Sequence, residues 1–242
     1  MSQPKVKAKT LQQKMGFVDV DLRTPQHDAI MVWLDQELGN IMRKKHGREW
    51  NQSEIDRATG IMRSWIDNAK KRTQQDLNEH LAFEALPESA KRAKIDRSRY
   101  TDERKQWLLD ALAEAERYTP GDIPARKLWL ASKVWEYPIS SRKDYIVGFI
   151  DMKVIVGYEV ELTVTENRDR RILLPVWDTN EATETYLFEV KPTIPSVGEL
   201  IRQVRLYQEY ERGHYVVVSP DDRFASIIES QGIEFLKVEL NQ

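Results

Sequence analysis

The sequence predicts an α/β protein in which a mixed central sheet is flanked by helices and carries an added basic helical region. Three observations support this. Apolar residues recur at helical spacing through much of residues 24–118. Strand-like apolar runs follow from about residue 133, and the chain ends in a strand–helix–strand pattern. A length of 242 residues is enough for one large domain or a domain with an addition.

The composition is that of a globular protein, with 40% hydrophobic and 31% charged residues. No apolar run is long enough to span a membrane, and the N-terminus lacks the apolar core of a signal peptide. We therefore expect a cytoplasmic protein without a membrane partner. The chain has no cysteine, which excludes disulfides, thiolate zinc sites and iron–sulfur clusters held by cysteine.

Charge is distributed unevenly although the net charge is only −2. Residues 1–144 hold 27 Lys and Arg against 22 Asp and Glu, whereas residues 145–242 hold 10 against 17. A basic part could dock phosphates and an acidic part could collect metal ions. Ordinary proteins show the same asymmetry, so the pattern only weakly favours a nucleic-acid partner.

The first segment, residues 1–23, is polar and basic and predicts a mobile arm or a plain disordered terminus. Thr24 is then placed as a helix N-cap and Pro25 as the first helical residue. Apolar residues at helical spacing continue to about residue 42, so residues 24–42 predict a first core helix that packs on the sheet.

Residues 43–125 predict a helical basic insertion. Between residues 43 and 105 there are 16 Lys and Arg against 11 Asp and Glu, and the run Lys70, Lys71, Arg72 could grip a phosphate backbone. Trp50 or Trp65 could stack on a base. The alternative is that these are solvated helix faces with the tryptophans in a small core. A further helix is predicted at residues 102–118, with Thr101 as its cap.

Residues 126–242 predict the sheet-bearing core. We expect one helical turn at 128–131, a strand at 133–139, and a strand from 145 to 156 that reverses at Gly157. Strands at 158–165 and 172–177 would flank a charged hairpin with Arg168, Arg170 and Arg171 at its tip. The remaining predicted elements are a strand around 186–191, a helix at 197–211, a strand at 215–219, a helix at 222–230 ending at Gly232, and a strand at 234–238.

Two of these strands deliver acidic groups. Glu189 and Lys191 lie on the same face of their strand, about 7 Å apart along it, because strand side chains alternate. With Asp151 from the preceding strand, they predict a divalent-metal site beside an ammonium group. Mg²⁺ prefers carboxylate, water and phosphate oxygens, and a bound metal activates water. A nearby lysine stabilises the charge that develops on a phosphate.

The chain resembles the PD-(D/E)XK nuclease superfamily, and within it the RecB-like exonuclease group, over about residues 133–240. The resemblance rests on Gly148-Phe-Ile-Asp151, Glu189-Val-Lys191 and Gln203-Val-Arg-Leu-Tyr207, in that order. It implies a restriction-endonuclease-like sheet and a metal-dependent deoxyribonuclease that hydrolyses DNA phosphodiester bonds. The preference for DNA over RNA comes from the resemblance alone.

The resemblance also implies roles for individual residues. Asp151 and Glu189 would hold Mg²⁺ or Mn²⁺ with the backbone carbonyl of Val190, and Lys191 would position or activate the attacking water. Substrate contacts would come from Gln203, Arg205 and Tyr207. Members of this group often take a further metal ligand from the first helix, for which His27 and Glu37 are candidates. The alternatives are that His27 is a capping residue and that Tyr207 belongs to the core.

The sequence also fits other assignments. The triplets Glu103-Arg-Lys105 and Asp151-Met-Lys153 also fit the acidic-x-Lys pattern, and the second competes directly with Glu189 and Lys191. The protein could instead be a dimeric endonuclease of the restriction, resolvase or transposon-end type, or a non-catalytic DNA-binding subunit of a nucleic-acid-processing assembly. The chain has no Gly-Lys-Ser/Thr phosphate loop, so an ATP-driven role would need a protein partner.

Overall fold

The computed structural model describes residues 24–93, 99–141, 145–167 and 174–239. The predicted arm at residues 1–23 and the hairpin-tip arginines Arg168, Arg170 and Arg171 lie outside the described residues, as do residues 94–98 of the basic segment and residues 142–144 of the predicted turn. No helix among the described residues is both long and apolar enough to cross a membrane.

The described chain contains helices and strands in the order α1 to α4, β1 to β3, α5, β4, α6 and β5. The helices are α1 (Pro25–His46), α2 (Gln52–Glu84), α3 (Glu88–Ala93), α4 (Asp102–Arg117), α5 (Val197–Gln208) and α6 (Ala225–Ser230). The strands are β1 (Leu128–Ser140), β2 (Ile146–Asn167), β3 (Leu174–Val190), β4 (His214–Ser219) and β5 (Glu234–Lys237).

The chain divides into two compact units. Within the described residues, the first unit comprises 24–48, 127–158 and 182–239, and the second comprises 49–126 and 159–181. The sequence-based division set the helical insertion at 43–125. The second unit covers most of that segment and also includes the distal parts of β2 and β3.

A five-stranded mixed sheet confirms the coarse prediction of an α/β protein with a sheet flanked by helices. Its strand order is β1-β2-β3-β4-β5, with β1 and β2 antiparallel and with β3, β4 and β5 parallel. Alternation along β3 sends Phe188 into the cluster that includes α1 and Leu187 into the cluster that includes α5. The sheet of the first unit is therefore buried on both faces.

The helix that covers the first face begins where the sequence predicts. The Thr24 hydroxyl accepts a hydrogen bond from the His27 backbone N–H at 3.2 Å, and Pro25 occupies the first turn. The apolar residues Ile30, Leu34, Leu38 and Met42 recur at helical spacing and are buried in the core of the first unit. The N-terminal cap thus fixes the position of the residues in the first helical turn, including His27.

The second unit is built around α2 and α4 and the distal parts of β2 and β3. One apolar cluster contains Trp50, Ala58 and Leu162, and another contains Ala111, Ala115 and Leu174. The Trp50 indole donates a hydrogen bond to the Pro124 carbonyl at 2.8 Å. Trp50 is therefore a core residue and is not available to stack on a base, which corrects one of the two sequence-based alternatives.

Three local predictions differ from the structure. Residues 128–131 belong to β1 and form no helical turn, and β2 continues past Gly157 to Asn167 without reversing. Gly157 allows a close contact with a neighbouring strand and does not form a turn. Gly157 pairs with Trp129 of β1, and a Cβ atom at residue 157 would lie 2.2 Å from Cε2 of that indole. The helix predicted from residue 222 also begins later, at Ala225.

Gly157→Ala is expected to lower the free energy of unfolding by about 1–3 kcal/mol, the usual range for overpacking. The matched control is Gly39→Ala, since a Cβ atom at this helical glycine has no neighbour within 4 Å. That change is expected to raise stability by up to about 1 kcal/mol. Urea unfolding of both variants measures the difference, and a Gly157→Ala protein as stable as the wild type would contradict the contact.

Candidate active site

Asp151 lies at the point where the regular alternation of β2 changes. Ile150 packs in the cluster that includes α5, whereas Met152, two residues later, packs in the cluster that includes α1. A regular strand would place both on one face. On β1 the residues paired with them are Tyr137 and Trp135, and Glu136 between these two has a positive φ of 45°. Ile150 and Met152 therefore point to opposite faces of the sheet, with Asp151 between them.

The Asp151 carboxylate is held by contacts from two elements. It is only 8% exposed. Its Oδ2 atom accepts a hydrogen bond of 2.7 Å from the backbone N–H of Val190, and its Oδ1 atom lies 3.3 Å from Nε2 of His27. The backbone carbonyl of Val190 is directed to the same side of β3 as its N–H, because both groups of one strand residue point the same way. The first helix and the third strand thus meet at this carboxylate.

The Glu189 carboxylate is 3% exposed and belongs to the sheet face covered by α5. Its Oε1 atom lies 2.9 Å from the Lys191 ammonium and accepts a hydrogen bond of 3.0 Å from the Gln203 side-chain amide. The same amide donates to the Tyr207 hydroxyl at 2.9 Å, because residues four apart meet on one helix face. Burial of Glu189 is therefore offset by an ion pair and a hydrogen bond.

The sequence-predicted residues of the first unit form two contact groups that adjoin at Glu189 and Val190 of β3: His27, Asp151 and Val190 in one, and Glu189, Lys191, Gln203 and Tyr207 in the other. Other predicted residues lie elsewhere. Glu37 is almost three turns along α1 from His27 and accepts a hydrogen bond from Asn40. Arg205 is exposed, and its guanidinium donates to Gln208 and to the carbonyl of Gln231. The run Lys70, Lys71 and Arg72 belongs to the second unit.

The competing acidic-x-Lys triplets have different surroundings. Lys153 pairs with Glu211 at 3.0 Å, and its ammonium lies 4.1 Å from the centre of the Tyr137 ring. Lys105 pairs with Glu84 at 2.7 Å in the second unit. Sequence reasoning did not identify Glu211 or Tyr137. No motif marks Glu211, which follows the end of α5, and only the tertiary structure shows that it is the partner of Lys153.

The pKa of His27 is raised above its ordinary value of 6.5, chiefly by the Asp151 carboxylate 3.3 Å away and against the opposing effect of burial. A raised folded-state pKa contributes stability that is fully present below pH 6.5. This contribution is lost as the pH rises through the higher folded-state value. The protonated His27 is thus a charged partner for Asp151.

His27→Gln is expected to remove this pH-dependent part of the stability. The wild type should lose unfolding free energy as the pH rises above 6.5, whereas the variant should show a flatter profile. Urea unfolding at a series of pH values from 5 to 9 measures both slopes. Parallel profiles for the two proteins would exclude His27 as the source.

The donor types fit a hard divalent cation, although they are not preassembled as a metal site. Mg²⁺ and Mn²⁺ take carboxylate oxygens, and imidazole is a common ligand of transition metals. Asp151, Glu189 and His27 provide these groups on neighbouring elements of the first unit. Within the described ranges, however, no group of three or more His, Asp or Glu side chains is arranged to hold a metal ion.

The cluster combines two buried carboxylates, an ammonium group, an imidazole and an amide–hydroxyl pair. Such an arrangement can bind a cation and present positive charge to an anionic substrate. Comparisons with protein-family models, with curated proteins and with solved structures found no match.

Proposed function

We propose that the protein is a metal-dependent deoxyribonuclease of the RecB-like exonuclease type, built on a restriction-endonuclease-like core. The observation that carries the proposal is the contact of Lys191, which directly follows β3, with Glu189 of that strand, next to the Asp151–Val190 hydrogen bond. Phosphodiester hydrolysis requires oxygen ligands for a cation and a positive group beside the phosphate. The resemblance of the three motifs supplies the substrate class, DNA.

Each residue then has a defined role. When bound, Mg²⁺ or Mn²⁺ supplies an activated water and neutralises phosphate charge. Asp151 and Glu189 would hold the ion with the Val190 carbonyl, and His27 would orient or supplement Asp151. Lys191 positions the nucleophile and stabilises the charge that develops on the phosphate. Gln203 orients the Glu189 carboxylate through its amide, and Tyr207 in turn holds Gln203.

A second candidate is a DNA-binding subunit that has this architecture without catalysis. The absence of a preassembled three-ligand group within the described residues favours it. So does the engagement of both Asp151 oxygens by protein groups, since a cation would have to compete with them. The two candidates share the nucleic-acid partner and differ in whether a phosphodiester bond is cut.

The test is cleavage of end-labelled single-stranded, blunt, tailed and branched DNA by the wild-type protein with Mg²⁺, Mn²⁺ or EDTA. We expect cleavage that requires metal and releases short products from ends. Paired internal cuts by a protein that sediments as a dimer would favour the endonuclease alternative. Tight DNA binding without any cleavage would exclude the hydrolase and leave the non-catalytic subunit.

A further inference from the structure

One face of α2 in the second unit is exposed and carries a mixture of cationic, polar and apolar side chains. We call Ile61, Trp65, Asn68, Lys71 and Arg72 the α2 stripe. Residues 61, 65, 68 and 72 follow the i, i+4, i+7, i+11 spacing of one helix face, and Lys71 lies one turn after Asn68. The adjoining face of α2, which carries Ala58, Met62, Thr73 and Leu77, is buried. The stripe is about 16 Å long.

The stripe exposes large apolar groups at an energetic cost. Ile61 is 38% exposed and Trp65 is 37% exposed. By contrast, Trp50 of the same unit is buried and its indole N–H is bonded to a backbone carbonyl. An exposed tryptophan presents a flat aromatic surface on which a nucleic-acid base can stack. Trp50 is thus part of the core, whereas Trp65 is available at the surface.

The charge of the stripe suits an anionic partner. Residues 57–72 contain five Lys and Arg and one acidic residue, Asp67. In the part of the chain that the structure describes, no acidic side chain forms an ion pair with Lys71 or Arg72. Asp67 lies one turn before Lys71 and is not paired with it either. Arg57, one turn before Ile61, is paired with Glu161 at 2.6 Å. Because its charge is neutralised by this pair, the cationic surface does not extend to Arg57.

We propose that the α2 stripe binds single-stranded DNA, with Trp65 stacking on a base and Lys71 and Arg72 contacting phosphates. The choice of DNA rests on the proposed function. The choice of a single strand follows from Trp65, because a base must be unstacked from its neighbours to lie on an aromatic ring. Asn68, between the tryptophan and the cations, can donate to phosphate or sugar oxygens. This binding surface belongs to the second unit and shares no residue with the candidate active site.

The test is the affinity of the full-length protein for a fluorescently labelled oligo-dT, measured by anisotropy in EDTA so that cleavage is not required. Trp65→Ala is expected to weaken binding about fivefold or more, and Trp65→Phe to retain most of the affinity because a ring remains. The double variant Lys71→Ala, Arg72→Ala is expected to reduce the slope of log K against log salt by about 1.4.

Arg63→Ala is the matched control, since Arg63 is an exposed cation of the same helix outside the stripe. It should bind like the wild type. An unchanged affinity of Trp65→Ala, or an equal loss for Arg63→Ala, would overturn the proposal, as would equal losses on a duplex of the same length. A loss of affinity that is confined to the stripe variants would support the proposal even if the protein cleaves no DNA. The failure of this inference is therefore distinguishable from the failure of the proposed hydrolysis.

Discussion

Lys191→Met is expected to lower kcat/KM for DNA cleavage about 10²- to 10³-fold, the usual cost of removing one group that stabilises transition-state charge. Methionine keeps the apolar stem of the side chain and removes the ammonium, so Glu189 loses its 2.9 Å ion-pair partner while the strand is retained. The loss should appear in kcat more than in KM, because the developing charge is greatest in the transition state. Single-turnover cleavage of labelled DNA in Mg²⁺ measures it.

Lys153→Met is the matched control because Lys153 belongs to the competing triplet and has a similar environment, paired with Glu211. Its kcat is expected to stay within about tenfold of the wild-type value. A larger loss for Lys153→Met than for Lys191→Met would assign the catalytic role to Lys153 of β2 instead of Lys191. Unchanged cleavage in both variants would exclude the site altogether.

Asp151→Asn is expected to lower cleavage about 10³-fold, since a bound divalent cation contributes several kcal/mol of charge stabilisation. Asparagine preserves the shape and can still accept the Val190 N–H through its carbonyl oxygen. The negative charge that would attract both the cation and protonated His27 is lost. Calorimetric titration with Mn²⁺ should therefore show weaker binding, together with the reduced cleavage.

Asp221→Asn is the matched control, because Asp221, like Asp151, is a carboxylate that accepts a backbone hydrogen bond. Asp221 accepts from the N–H of Ile194 at 3.2 Å and pairs with Arg223 at 2.6 Å. We expect this variant to bind Mn²⁺ as the wild type does. Equal Mn²⁺ affinity of Asp151→Asn and the wild type would remove Asp151 from the proposed ligand set.

Local features of the fold were predictable because they depend on a few neighbouring residues. The Thr24 cap and the start of α1 follow from side-chain hydrogen bonding to the first-turn N–H groups. The common face of Glu189 and Lys191 follows from strand periodicity, and that of Gln203 and Tyr207 from helix periodicity. These relations hold in any fold that keeps the two elements regular.

The sequence alone therefore determined the main helices, their buried faces and the local pairs, because backbone geometry sets the period of each element. It did not determine the extents of the strands, since β1 includes residues 128–131 and β2 continues past Gly157. Only the tertiary structure decided which distant residues meet: His27 at Asp151, Lys153 at Glu211, and Trp129 against Gly157. It also decided that Trp50 is buried and Trp65 exposed. These outcomes depend on strand register and helix placement, which are set by close packing of the whole core rather than by any local pattern.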